Sequence, residues 1–320
     1  MAKKIKRSMI HKELRNLGSF VRFFAGRPSM KKFIRIHKRQ VKWFKGRNIT
    51  KKDLDLEQIY VDDCRVAIFR PKDLKPNAVG LLWLHGGGHV NGIPEMESDY
   101  FKKFLLNTNT ILFAPDYSKS HQEPFPKALE QSYSVLKYMK DHASSYGINT
   151  DQLFVAGVSA GGGLAAALTL YARDKKEIEI AFQMPLYPML DDRFTESNKD
   201  NDAPMWNTKS NIIAWKRYLG DKYQTDDVSY YAAPARARDF TNLPPTLTFI
   251  GGIDLFKDET VAYVNNLKAA GVETKFKIYE GCFHAFEVLS FWKSVSKDAI
   301  EFSLNGYIYA AENYFKKQKQ

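Results

Sequence analysis

This chain of 320 residues has two cysteines, Cys64 and Cys282, far apart in sequence. Two distant thiols are no disulfide framework, so they are expected to be free, in a reducing, cytoplasmic setting. Long hydrophobic runs are also missing. No stretch approaches the roughly 20 apolar residues that a membrane-spanning helix needs. The basic start "MAKKIKRSMIHKELRNLGSF" resembles the first part of a secretory signal. Arg15 and Arg22 interrupt what would be its apolar segment, so no cleavable signal is expected. There is no internal repeat and no low-complexity tract. Acid is scarce in one place: residues 1–52 hold 18 Lys or Arg against a single acid, Glu13. The overall charge of +12 therefore belongs to this arm, and the rest of the chain is net acidic.

The arm has a pattern. Leu14, Leu17, Val21 and Phe24 fall at helical spacing, as do Phe33, Ile36 and Trp43, with Phe44 beside them. Basic amphipathic helices bind anionic membranes or nucleic acid, or pack their apolar face on a body and solvate their charges. The last reading is preferred here, with nucleic acid disfavoured and peripheral membrane contact a lesser alternative.

What the chain has in quantity is core material: 44% apolar residues, including 22 Phe, 17 Tyr and 5 Trp. From about residue 54 onward, strands and helices alternate. "IYVDDCRVAIFRP" alternates like a half-buried strand, and "VGLLWLH", "NTILFAPDY", "QLFVAG", "IAFQMPLYP", "PTLTFIGG" and "TKFKIYEG" read as further strands. "PKALEQSYSVLKYMKDHASSYG", "GGGLAAALTLYARD", "DETVAYVNNLKAAG" and "VSKDAIEFSLNGYIYAAENYFKKQ" read as helices. Asp258 is the expected N-cap of the third, and Gly147 and Gly271 are expected stops. This alternation predicts an α/β fold with a mostly parallel central sheet and helices on both faces. Residues 191–230 break the rhythm with a polar, partly helical stretch. The expected organisation is an arm over 1–52 and an α/β domain over 53–320 with an insertion at about 191–230.

One stretch carries chemistry. "QLFVAGVSAGGGLAAAL" sets Gly157-Val158-Ser159-Ala160-Gly161, a G-x-S-x-G, between a strand and a helix. A dinucleotide fingerprint fails because Ser159 takes the second glycine position, and a P-loop fails because Leu164 follows Gly163. Ser159 is the expected nucleophile. A serine hydroxyl needs a base, and the base needs an orienting acid. Where this motif is catalytic the chain order is Ser, acid, His. Asp254 comes directly off the strand "PTLTFIGG", ahead of Asp258 and Glu259. His284 follows the last strand and is the only histidine after His142.

"LHGGGHVNG" places His85 and His89 four residues apart. Three glycines will not hold the helix that a metal pair at this spacing needs, so no metal site is expected. The N–H groups of Gly86, Gly87 and Gly88, with that of Ala160, are instead expected to meet an oxyanion.

These motifs together resemble the hormone-sensitive-lipase-like carboxylesterases of the α/β-hydrolase fold, over about residues 55–315. "HGGG" is similar to that family's oxyanion motif. "APDYSKSHQEPFPKAL" is similar to its D-Y and P-F-P-x-A signature, and "GVSAGGG" to its G-D-S-A-G-G. "GGIDLFKDE" resembles its D-x-L-x-D-E, and "FHAF" its H-G-F. The departures are Val158 for Asp, His89 for an aromatic, Ala285 for Gly, and "SKSHQE" for R-L-A-P-E-H. The resemblance implies an esterase using Ser159, Asp254 and His284, with no cofactor and a small ester as substrate. It also implies a helical cap formed by the arm and the insertion, with His89 and Val158 candidates for the substrate pocket. An amidase, peptidase or deacetylase with the same triad is the alternative. A non-catalytic receptor of this fold is a remoter one, because such receptors lack the histidine. The sequence leaves the oligomeric state open.

Overall fold

The computed structural model describes residues 5–25 and 28–319, with the side chains of 24 and 25 outside the description. Phe24, assigned above to the arm's apolar stripe, is therefore placed only by its backbone.

The strands are β1 (Leu54–Val61), β2 (Cys64–Pro71), β3 (Ala78–Leu84), β4 (Thr110–Pro115), β5 (Ile148–Val158), β6 (Phe182–Leu186), β7 (Thr246–Gly251) and β8 (Thr274–Tyr279). They form one sheet of order β1-β2-β4-β3-β5-β6-β7-β8. From β4 to β8 every pairing is parallel, and β1 and β2 join antiparallel at one edge. The strand expected from "IYVDDCRVAIFRP" is a hairpin instead. Val61 pairs with Cys64 across a two-residue turn, and Asp62 takes φ 52°, a left-handed conformation that aspartate tolerates better than most residues. The half-buried pattern belongs to β1, whereas β2 is almost wholly buried.

The helices are α1 (Arg15–Ala25), α2 (Met30–Phe44), α3 (Ser98–Asn107), α4 (Lys127–Asp141), α5 (Ala143–Tyr146), α6 (Ala160–Lys175), α7 (Thr208–Leu219), α8 (Lys257–Ala269), α9 (Phe286–Leu289) and α10 (Ser294–Asn313). Alternation along β3 shows how the sheet is covered. Leu81 and Trp83 face a core shared with Phe101 and Phe104 of α3 and Tyr307 of α10. Leu82 and Leu84 face a second core shared with Leu136 of α4 and Leu164 and Leu168 of α6. Helices α3 and α9 have no counterpart among the elements expected from the sequence. In α3 the buried Tyr100, Phe101, Phe104 and Leu105 lie on one helical face, spaced i, i+1, i+4 and i+5. Asp258 is not the N-cap of α8. Phe256 holds that position, and the Asp258 carboxylate accepts the Ser197 N–H instead, tying the insertion to the body.

The arm lies on the body. Leu14 and Phe33 are buried in the main core, and Phe33 stacks on Trp206 of the insertion at 5.6 Å. The Ile5 N–H donates to Asp202 at 2.7 Å. Helix α2 buries Phe33 and His37 and leaves Lys31, Arg35, Lys38, Arg39 and Lys42 in solvent. Trp43 is 57% exposed, so the buried face runs through His37 and not through Trp43 as the apolar spacing implied. A buried ion network anchors the arm's end. Arg65 holds Glu95 at 2.7 and 3.1 Å and Asp116 at 3.1 Å, while Glu95 accepts the Gly46 N–H and Lys45 lies 3.5 Å from Asp116. Replacing Arg65 by Met strands the buried Glu95 carboxylate, while Asp116 keeps Lys119 and Lys45, and urea unfolding should show a loss of about 3–5 kcal/mol.

Candidate active site

Four chain segments meet above the carboxyl ends of the parallel strands, where open α/β sheets bind their ligands. They follow β3, β5, β7 and β8. At the end of β5 the chain reverses direction through Ser159, which takes φ 57° and ψ −121° before α6 begins. This strained conformation thrusts the hydroxyl out of the turn. Such a turn requires a bare neighbour: a Cβ on Gly161 would overlap the carbonyl oxygens of Leu84 and His85. That contact also sets the loop after β3 directly beside the serine.

The Ser159 Oγ lies 2.8 Å from His284 Nε2, and His284 Nδ1 lies 2.7 Å from Asp254 Oδ2. The other Asp254 oxygen accepts the Phe256 N–H at 3.0 Å. A carboxylate only accepts, so Nδ1 carries the ring proton and Nε2 faces the hydroxyl as an acceptor. All three side chains are buried: Ser159 is 8% exposed, His284 4% and Asp254 1%. Tyr187 and Phe256 meet the imidazole edge-on, each at 5.2 Å, and hold its plane. Ala285, where the resembled family has glycine, takes φ 54°.

The glycine loop divides its donors. The Gly86 N–H is engaged by Glu97 Oε1 at 2.7 Å. Gly86 is therefore removed from the expected set of oxyanion donors, because the half-buried Glu97 carboxylate already occupies its hydrogen. Among the described residues no acceptor engages the N–H of Gly87, Gly88 or Ala160. Gly87 takes φ 121°, and a side chain there would strike the Asn91 backbone. Glu97 also accepts the Trp83 indole N–H at 2.6 Å. No motif signals this glutamate, since its role depends on the chain returning to β3 through a 3-10 turn.

The two loop histidines part company. His85 Nδ1 lies 2.8 Å from the Gly86 carbonyl and Nε2 3.0 Å from Lys119 Nζ, so both ring nitrogens have protein partners. His89 takes φ 57° and stacks on Tyr218 of α7 at 4.0 Å. Burial lowers its pKa to about 3, with Lys119 adding to the shift, so it is neutral near pH 7. Val158 packs against Gly86, filling the space behind the loop. Both candidate pocket residues are thus fixed by contacts of their own, one under the insertion and one under the glycines.

The family model described as alpha/beta hydrolase fold matches residues 81–288, well over half of the chain. The chain belongs to the α/β-hydrolase fold family. Among its relatives is Esterase LipI of Mycobacterium tuberculosis, 28% identical over 64% of this chain and 65% of that protein. The chain thus spans a little under two thirds of that relative's length. An AB hydrolase superfamily protein of Schizosaccharomyces pombe is 30% identical over 72% of each chain. Among solved structures, one titled Bacterial Heroin Esterase superposes with a TM-score of 0.86 at 27% identity, covering 95% of this chain and 98% of that one. In this α/β hydrolase no helix among the described residues is long and apolar enough to cross a membrane.

Behind the histidine lies a second buried acid. The Glu287 carboxyl faces Tyr187 and His284, and burial raises its pKa to about 7. A raised carboxylate pKa means the folded state holds its proton more tightly than the unfolded one. Stability from this group is then present at low pH and lost as pH rises from about 4.5 through about 7. Glu287→Gln removes that loss, so its melting temperature relative to wild type should be higher at pH 8.5 than at pH 5.

Proposed function

We propose that the protein is a serine carboxylesterase acting on small, short-chain acyl esters. The observation that carries this reading is the continuous relay from Ser159 through His284 to Asp254, beside three N–H groups that no acceptor engages among the described residues. In this reading Ser159 Oγ attacks the ester carbonyl while His284 Nε2 takes its proton. Asp254 keeps the imidazole in the required tautomer and stabilises it when charged. The N–H groups of Gly87, Gly88 and Ala160 receive the negative charge that develops on the carbonyl oxygen. One such donor is worth about 3–4 kcal/mol in the transition state. The first residue of α6 supplies one of them, where the helix end favours negative charge. His284 returns its proton to the leaving alcohol, then draws one from water, which frees the acid from the acyl-enzyme.

The arm and the insertion form a cap over this site, leaving 53–320 as the catalytic domain. Supporting this, the Trp206 indole lies against Gly88, and Tyr218 of α7 stacks on His89. A cap packed so closely favours small acyl groups. The burial of Leu14 and Phe33 in the main core supports a packing role for the arm. Cys64 and Cys282 are free and buried, which suits a cytoplasmic enzyme.

Ser159→Ala should fold as wild type and lose p-nitrophenyl acetate hydrolysis by about 10⁴-fold or more. Full activity in that variant would refute the assignment. His89→Tyr should keep the Ser159-dependent activity while changing its profile across acetyl, butyryl and octanoyl esters. An unchanged profile would remove His89 from the specificity determinants.

A further inference from the structure

The D-Y-S-K segment after β4 contains a lysine whose side chain is 0% exposed. An ammonium group in that position needs an acceptor for each of its three protons. Lys119 Nζ has three: His85 Nε2 at 3.0 Å, Asp116 Oδ1 at 3.2 Å and the Tyr117 carbonyl. Since the ammonium has no lone pair, the His85 Nε2 facing it must be an unprotonated acceptor. The ring proton therefore sits on Nδ1, where it donates to the Gly86 carbonyl at 2.8 Å. Tyr117 fixes the ring's plane by stacking on it at 4.1 Å and 5°, and its hydroxyl donates to the His85 carbonyl at 2.5 Å.

The consequence falls on the next peptide. The Gly86–Gly87 bond is not among the cis peptides, and in a trans peptide the C=O and the following N–H point in opposite directions. Holding the Gly86 carbonyl towards His85 turns the Gly87 N–H away from it and leaves that hydrogen for an oxyanion. Glu97 secures the preceding peptide through the Gly86 N–H. We propose that Lys119 is a positioning residue: it selects the Nδ1–H tautomer of His85 and thereby orients the Gly87 N–H for transition-state binding. The resembled family pattern R-L-A-P-E-H has leucine where this chain has Lys119. The inference rests on the esterase reading for its effect on rate, but its structural half does not.

Two measurements test it. In protein labelled with 15N-histidine, the wild-type His85 ring should show a protonated Nδ1 and an unprotonated Nε2. The opposite tautomer overturns the proposal, whether or not any variant folds. Lys119→Met should then populate the Nε2–H form that neutral imidazole favours in water, and lower kcat on p-nitrophenyl acetate about tenfold with KM within about twofold, a fraction of the loss for deleting a donor. A Lys119→Met protein that keeps wild-type kcat, or that changes only KM, also overturns it. If wild-type hydrolysis proves independent of Ser159, the esterase reading fails instead, and the tautomer result stands apart from it.

Discussion

The site depends on the close approach of two chain reversals. Gly161 sits so near the carbonyls of Leu84 and His85 that no side chain fits between them. This contact locks the turn after β5 to the loop after β3. Ser159 and the N–H groups of the glycine loop consequently share one space, although their residues come from separate strands. The strain at Ser159, with φ 57°, is sustained because β5 is paired on both sides and α6 begins immediately after the turn. Preorganisation of this kind is what makes backbone dipoles effective, since they need no rearrangement when charge develops.

Around that junction the protein buries an unusual amount of charge. Arg65, Glu95, Asp116 and Lys119 form one connected network that runs from the arm's end to the underside of the glycine loop. Buried ion networks contribute little net stability compared with apolar packing, but they specify geometry strongly, because each group left alone is costly. Here the network joins three parts that must agree in position: the arm, the β2 edge and the glycine loop after β3. On the other side of the site, Glu97 binds the same loop to Trp83 in the sheet. The loop is rich in glycine, and these side chains supply the rigidity that its own backbone lacks.

Much of this was legible in the sequence where local rules apply. The parallel strands, the G-x-S-x-G turn and the order Ser159, Asp254, His284 follow from hydrophobic period, glycine placement and chain order. The hairpin at Asp62 was not, because its two turn residues look like ordinary polar positions of one alternating strand. Helix α3 escaped notice because it is only 10 residues long and its apolar face, Tyr100, Phe101, Phe104 and Leu105, spans fewer than two turns. The diversion of the Gly86 N–H depends on Glu97, eleven residues further along the chain. The tautomer of His85 depends on Lys119 from another strand's end. Both are tertiary facts: they arise when loops distant in sequence are folded against each other. In the arm, helical spacing identified Phe33 correctly, yet the body contacts His37 and leaves Trp43 in solvent.

The central claim is that Ser159 is the nucleophile at a site assembled for acyl transfer. Reaction with an organophosphate such as diisopropyl fluorophosphate tests it most directly, by intact mass and peptide mapping followed alongside activity. The account predicts one adduct per chain, located on Ser159, forming in step with the loss of esterase activity. Inactivation with Ser159 unmodified, or an adduct on Ser159 that leaves activity intact, would contradict it.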